Sequence, residues 1–399
     1  RTRQQAFERI CPSEDPMDNT VALVRNTEYG TEQVEASVRQ AVDLLGGMSR
    51  FVQPGQRVLV KPNLLQSSDP DKAIVTHPMV VRAVVKLAQE VGGRVLIADN
   101  PFVPPIGQHG WDNLYERAGY AAIAAETGAE LNYSIVAQQR SHPEGRLIKL
   151  VDTSSFLSEA DVVVSVPKLK THGLMRYTGA VKNLFGTVPG TIKAGYHVKL
   201  QTAERFAEML LDLVTFVNPS LTVMDAIVGM DGDGPSAGQP FPIGGILAAA
   251  DPVALDVAAV GLVGHEPMAV PTVAGAAARG WTTGRLSDLE MLGEALVAMR
   301  VSGFDLPPGG RSEMDYVPQF LRPLGTRLLV PSPFVTDQCI GCGLCIEHCP
   351  VQTISPINGR AQIGLSGCIR CYCCHEVCPE QAIELRQPWL GRKLAQMAR

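Results

Sequence analysis

The chain has 399 residues, of which 45% are hydrophobic and 19% charged, with a formal net charge of −5 at pH 7. Such a length predicts two or three domains, and such a composition can bury a large core, which argues against disorder. The acidic balance points away from nucleic acid as a partner, and no window reaches the roughly 18 uninterrupted apolar residues of a membrane helix.

Residues 1–19 read as an N-terminal extension. The opening RTRQQAFERI lacks the apolar core of a secretion signal, so a cytoplasmic, reducing compartment is expected. Residues 20–302 then alternate strands and helices. RVLVKPNLL reads as a strand, HPMVVRAVVKLAQEVGG as a helix stopping at Gly92-Gly93, and RVLIADN as a second strand. ADVVVSVPKL is a third strand, apolar throughout as one buried on both faces should be. LQTAERFAEMLLDLVTFV is an amphipathic helix and LTVMDAIVG a fourth strand. GGILAAADPVALDVAAVGLVG is a strand followed by a helix that Asp251 caps and Pro252 opens. The predicted class is α/β, a mostly parallel sheet with helices on both faces.

In such a sheet, ligands bind beyond the carboxyl ends of the strands. Each predicted strand is polar there: Lys61 and Asn63; Asp99 and Asn100; Lys168, Lys170, Thr171 and His172; Asp225, then Asp231 and Asp233. Lys168 and Lys170 sit two apart and share a face of a strand. Two neighbouring ammonium groups repel unless an anion lies between them. The continuation TGAVKNLFG adds Thr178, Lys182 and Asn183. The expected site therefore grips a small anion through Lys61, Asn63, Asp99, Thr178, Lys182, Asn183 and Asp225. Lys168, Lys170, His172 and His197 are its candidate catalytic groups, the imidazoles because they titrate near neutrality. The bland alternative is a set of solvated loop lysines. Asp231-Gly-Asp233-Gly lacks the rest of a calcium loop and reads as a tight turn. GDGPSAG is no dinucleotide loop, because prolines follow it and no helix opens there.

Residues 303–335 form a proline-rich linker expected to lie against the large domain. Nine of the ten cysteines then fall between Cys339 and Cys378. CIGCGLCIEHCP places Cys339, Cys342, Cys345 and Cys349 in the pattern C-x2-C-x2-C-x3-C-P, and CIRCYCCHEVCP repeats it with Cys368, Cys371, Cys374 and Cys378. This is the spacing of bacterial two-cluster ferredoxins, in which three thiolates wrap one cubane and the fourth comes from the other run. Cys339, Cys342, Cys345 and Cys378 are therefore assigned to one [4Fe–4S] cluster, and Cys368, Cys371, Cys374 and Cys349 to the other. Zinc sites are the alternative, but zinc takes two separated pairs closing one tetrahedron. Cys373 is a spare thiol or an exchange partner for Cys374. ISPINGRAQI reads as a hairpin turning at Asn358-Gly359, so residues 336–386 form a small α+β, ferredoxin-like domain. Residues 387–399 are a basic tail that could dock on a complex or a membrane face.

VLVKPNLL, Thr76 to Pro78, VPKLKTH, TGAVKNLFG, Lys193 to His197, GDGP and DPVALD together resemble the family catalogued as domain of unknown function 362. Its members often carry a C-terminal two-cluster ferredoxin module, as here. The resemblance spans residues 20 to 386; it firms the architecture and leaves the substrate open. Three functions remain in view. The first is a ferredoxin-linked oxidoreductase, relaying single electrons from a ferredoxin or other redox protein to an anionic substrate. The second is a non-catalytic electron-transfer subunit of a larger complex, and the third a cofactor or cluster assembly factor.

Overall fold

The computed structural model describes residues 18–307 and 330–388. The predicted extension before residue 18, most of the proline-rich linker and nearly all of the basic tail lie outside them. The large domain is built on β1 (Thr20–Arg25), β2 (Arg57–Pro62), β3 (Arg94–Ile97) and β4 (Glu130–Leu131), with an antiparallel hairpin, β5 (Ala137–Ser141) and β6 (Leu150–Ser154), set apart from the sheet. It continues through β7 (Val162–Val166), β8 (Lys168–His172), β9 (Arg176–Thr178), β10 (Leu221–Asp231), β11 (Gln239–Ala249) and β12 (Glu290–Gly293). The sheet order is β12-β1-β11-β10-β7-β2-β3-β4, with β8 beside β10 and β9 beside β8. Along the main path every pair is parallel except the two that β11 makes, with β1 and with β10. The expected mostly parallel α/β sheet is what forms.

Both faces are covered because side chains alternate along each strand. Val58 and Val60 face α1 (Thr31–Leu44), α2 (Pro78–Glu90), α3 (Gly107–Arg117) and α4 (Tyr120–Thr127), meeting Val38, Val84, Leu114 and Ile123 in one core. Leu59 points the other way, into a core with Phe206 and Leu210. That second face carries α5 (Ser155–Glu159), α6 (Ala180–Asn183), α7 (Gly190–Lys199), α8 (Ala203–Val217) and α9 (Pro252–Leu262). Local chemistry starts these helices where expected: Asp251 accepts from the Val253 N–H ahead of α9, and Pro252 opens it.

The C-terminal region pairs β13 (Ser332–Val335) with β16 (Ile383–Arg386), and β14 (Ile354–Ile357) with β15 (Arg360–Ile363), both antiparallel. The second pair turns at Asn358 and Gly359, with φ of 52° and 74°, as a two-residue hairpin of this kind requires. The region is anchored on the carboxyl edge of the large sheet. Tyr372 is fully buried in the core that holds Leu174 and Met175, and its hydroxyl donates to the Pro331 carbonyl at 3.0 Å. Burying one such ring contributes on the order of 1.5–3 kcal/mol. Gly173 leaves room for it: a Cβ there would lie 2.8 Å from Leu385 and 3.4 Å from the Tyr372 ring. The turn between β10 and β11 completes the contact. Ser236 Oγ reaches the carbonyls of His375 at 3.4 Å and Glu376 at 3.2 Å, and Gln381 donates to the Ser236 carbonyl at 2.7 Å. GDGPS is thus a docking turn, with no helix behind it.

Candidate functional site

The polar residues predicted at the strand ends do converge, and the structure sorts them into two closed networks and one open cluster. In the first network, Lys61 is completely buried between Asp99 (3.0 Å), Asn183 Oδ1 (3.2 Å) and the Pro62 carbonyl (3.0 Å). Asn183 Nδ2 donates to Ser165 Oγ and the Lys61 carbonyl, while Asp99 also accepts from the Leu64 and Asn100 N–H groups. Gly186 lies so close that a Cβ there would strike both Asp99 and Lys61, so the backbone packs directly on this ion pair.

In the second network, Lys168 bonds Asp225 at 2.8 Å and the Tyr29 hydroxyl at 2.7 Å. Asp225 in turn accepts from Tyr29 OH (2.8 Å) and the His77 N–H (2.9 Å), and Tyr29 stacks on the His77 ring at 3.6 Å. The expectation that Lys168 and Lys170 flank one external anion is therefore corrected for Lys168: the chain's own Asp225 supplies its anion. A register irregularity separates the two lysines, because Lys168 pairs with Asp225 on β10 while Lys170 pairs with Met230. Nor are these solvated loop lysines, since Lys61, Lys168 and Lys170 are at most 2% exposed.

The open cluster holds Lys170, Lys182, His172 and His197, joined by two residues outside the predicted set, Lys193 and Glu376. Among the described residues, Lys170 donates only to the backbone carbonyls of Ile74 (2.8 Å) and Pro235 (3.3 Å), and Lys193 only to that of Asn100 (2.6 Å). Half-buried Lys182 makes no hydrogen bond or ion pair among the described residues; its ammonium lies 5.8 Å over the Phe185 ring. Burial, and then the charge of Lys182, pull Lys170 down to about 7. Burial likewise pulls Lys193 down to about 7, with Asp99 opposing and Lys61 and Lys182 adding. Burial holds both His172 and His197 down at about 4.

Glu376 is the carboxylate this cluster faces. It sits in the helix Cys373–Glu376 of the C-terminal region, is 3% exposed, and its Oε1 lies 3.1 Å from His172 Nε2. Burial opposes its ionisation, but His172, Lys182 and His197 outweigh burial and hold the carboxyl well below the usual range. His172 Nδ1 accepts from the Leu174 and Met175 N–H groups, so a neutral ring carries its proton on Nε2, facing Glu376. The contact is misaligned for a hydrogen bond, and among the described residues both His172 Nε2 and Glu376 Oε1 lack a hydrogen-bond partner. So do His197 Nδ1, Asn63 Oδ1 and Asn100 Oδ1 at the same edge. Buried polar atoms are nearly always paired, so this concentration of unpaired ones marks a place built for something more. Thr178 lies on β9 opposite Lys170.

Lys193 and His197 are four apart on α7, a helical spacing that could have placed both on one face. Glu376 is concealed within a cysteine run, between Cys374 and Cys378, where the sequence draws attention to the sulfurs.

The cysteines line two cavities. Cys339, Cys342, Cys345 and Cys378 surround the first, and Cys349, Cys368, Cys371 and Cys374 the second. Backbone N–H groups point at the sulfurs of Cys349 (from Thr353, 3.4 Å), Cys368 (from Arg370, 3.4 Å) and Cys378 (from Ala382, 3.2 Å), an arrangement that tunes cluster sulfurs. Among the described residues, no three His, Cys, Asp or Glu side chains converge closely enough to hold a single metal ion. The donor set, four thiols around each cavity, fits a multi-iron cluster. Cys342 is exposed at the first cavity, while Cys373 and Cys374 are buried, Cys373 near enough to Lys182 to interact with it electrostatically.

Comparison with known proteins agrees with this division. Residues 334–379 match a 4Fe-4S dicluster domain. Residues 58–261 match the family described as a domain of unknown function, DUF362. A curated relative, the thylakoid-associated protein sll1697 of Synechocystis, is 36% identical over 262 residues, covering 65% of this chain and 78% of the relative. Among solved structures, the lactate racemase apoprotein from Thermoanaerobacterium thermosaccharolyticum aligns over 60% of this chain and 55% of its own length, with 13% identity and a TM-score of 0.34, too slight a likeness to carry an argument. No helix among the described residues is long and apolar enough to cross a membrane. The chain belongs to the DUF362 family and carries an iron–sulfur dicluster domain at its C-terminal end.

Proposed function

We propose that the protein is a ferredoxin-linked oxidoreductase that passes single electrons to a small anionic substrate at the carboxyl edge of the large sheet. One observation carries the reading: the segment joining Cys374 to Cys378 lies across that edge and sets Glu376 against His172 at 3.1 Å. Two [4Fe–4S] clusters, ligated by Cys339, Cys342, Cys345 and Cys378 and by Cys349, Cys368, Cys371 and Cys374, supply one-electron storage and transfer when bound. The first ligand set opens to solvent beside Ile340, which is 65% exposed, and suits entry of electrons from a ferredoxin or other redox protein. The second set abuts the cationic cluster and suits their exit.

At the exit, Lys170, Lys182 and Lys193 hold the substrate anion and offset the negative charge that grows as it is reduced. His172 Nε2–H faces the same space and can donate a hydrogen bond to the substrate anion, and His197 Nδ1 can bind a donor group of the substrate. A reducing compartment such as the cytoplasm suits exposed clusters. The thylakoid association of the relative is compatible with work at a membrane surface. The electron-transfer subunit reading explains the clusters equally well, but leaves half-buried Lys182 without a purpose.

Two measurements test the proposal. Anaerobic iron and sulfide analysis should return about eight irons per chain; zinc in their place contradicts it. The dithionite-reduced protein should then be reoxidised anaerobically by some member of a panel of small carboxylates and phosphorylated compounds, and Lys182→Ala should abolish that reoxidation. Reoxidation by none, or equal reoxidation of the variant, leaves the electron-transfer subunit reading in its place.

A further inference from the structure

We propose that Glu376 is a tethered stand-in for the substrate's carboxylate, so that a small free carboxylate binds the Lys170–Lys182–Lys193 site by displacing the C-terminal region's own side chain. This deepens the function proposed above and rests on it. Three independent features meet here. Among the described residues, Glu376 is the one carboxylate facing this cluster that the large domain does not itself supply, while the two closed networks use Asp99 and Asp225, from the large sheet. Its seat is incomplete, because at 3.1 Å from His172 its Oε1 forms no aligned hydrogen bond, and Lys182 and His197 Nδ1, within reach of its charge, make none among the described residues. A structural ion pair in a dry core would be expected to satisfy both partners. Finally, beyond the buried Tyr372 ring at its start, the helix that carries it meets the large domain through a few polar contacts, from Ser236 Oγ to the His375 and Glu376 carbonyls and from His375 Nε2 to the Asp233 carbonyl.

The arrangement makes the site closed when empty. A tethered group competes with a free ligand at a high effective concentration, and a site open for only a small fraction of the time binds proportionally more weakly. Entry of a carboxylate would lift Glu376, and with it the segment between Cys374, a ligand of the second cluster, and Cys378, a ligand of the first. Substrate arrival would then be felt directly beside the electron's exit.

The test uses the full-length, cluster-loaded protein and sodium acetate at constant ionic strength, with inorganic phosphate as the second probe, both followed by calorimetry. Glu376→Gln keeps the side chain's size and removes its charge. It should bind acetate roughly ten- to a hundred-fold more tightly than the native protein, more tightly than it binds phosphate, and lose that gain when Lys182→Ala is added. Equal affinity in native protein and Glu376→Gln would overturn the inference while leaving the anion site in place. Absence of binding in both would overturn the site and the inference together, and a preference for phosphate would overturn the carboxylate assignment. Should Glu376→Gln not retain its clusters, the native protein gives the answer alone. Saturating acetate should speed hydrogen exchange at residues 373–376, and unchanged or stronger protection there would sink the proposal.

Discussion

A buried lysine is costly unless something at the site requires it, and Lys170 isolates that cost. Its ordinary value of 10.5 falls to about 7, chiefly through burial. The folded protein therefore releases this proton between those two values, while the unfolded chain keeps it. The unfolded state binds more protons in that window, so stability rises with pH from about 7 to 10.5, and the full penalty remains below about 7. Lys170→Met removes the group. The stability gained between about pH 7 and 9 should then shrink by on the order of 2 kcal/mol, as read by denaturant unfolding at each pH. An unchanged slope would mean that the ammonium is not desolvated. At this scale the sequence was legible in kind and not in pairing. It placed Lys61, Asp99, Lys168, Asn183 and Asp225 at one edge. It could not reveal that Lys61 and Asp99 neutralise each other, or that Lys168 and Asp225 do, because those partners meet only through strand register. Glu376 escaped altogether, because a C-x3-C spacing constrains the sulfurs and says nothing of the side chains between them.

Periodicity and turn chemistry carried most of the elements. The helices opening at Pro78 and Pro252 and the hairpin at Asn358-Gly359 stand where their caps and turn residues place them. The antiparallel return of β11 along β10 was not legible, since an apolar strand reads the same in either direction. That return creates the Gly232–Gly238 turn on which the C-terminal region rests. Ser236→Ala with Gln381→Ala removes three of the side-chain bonds between turn and region, of 2.7–3.4 Å, and leaves that of His375 Nε2 to the Asp233 carbonyl. At about 1 kcal/mol each, their loss should loosen the docked helix without unfolding either part. Hydrogen exchange at residues 373–376 should accelerate, and acetate affinity should rise towards that of Glu376→Gln. Unaltered exchange would assign the docking to Tyr372 and the apolar contact alone.

For the whole molecule, the paired cysteine runs predicted an iron–sulfur region and the family match supports it, but spacing could not say where that region sits. It lies over the carboxyl edge of the sheet, with one thiol set towards solvent and the other towards the lysines. Charge should therefore act unequally on the two proposed clusters. Removing a negative group beside a cluster makes reduction easier, and removing a positive group makes it harder, in proportion to proximity and burial. The most direct measurement is an anaerobic redox titration followed by low-temperature electron paramagnetic resonance, with the clusters distinguished by Cys339→Ser and Cys368→Ser. Glu376→Gln should raise, and Lys182→Ala lower, the midpoint potential of the cluster assigned to Cys349, Cys368, Cys371 and Cys374, with little change in the other. Equal shifts in both clusters, or none in either, would contradict electron delivery from the second cluster into the cationic site.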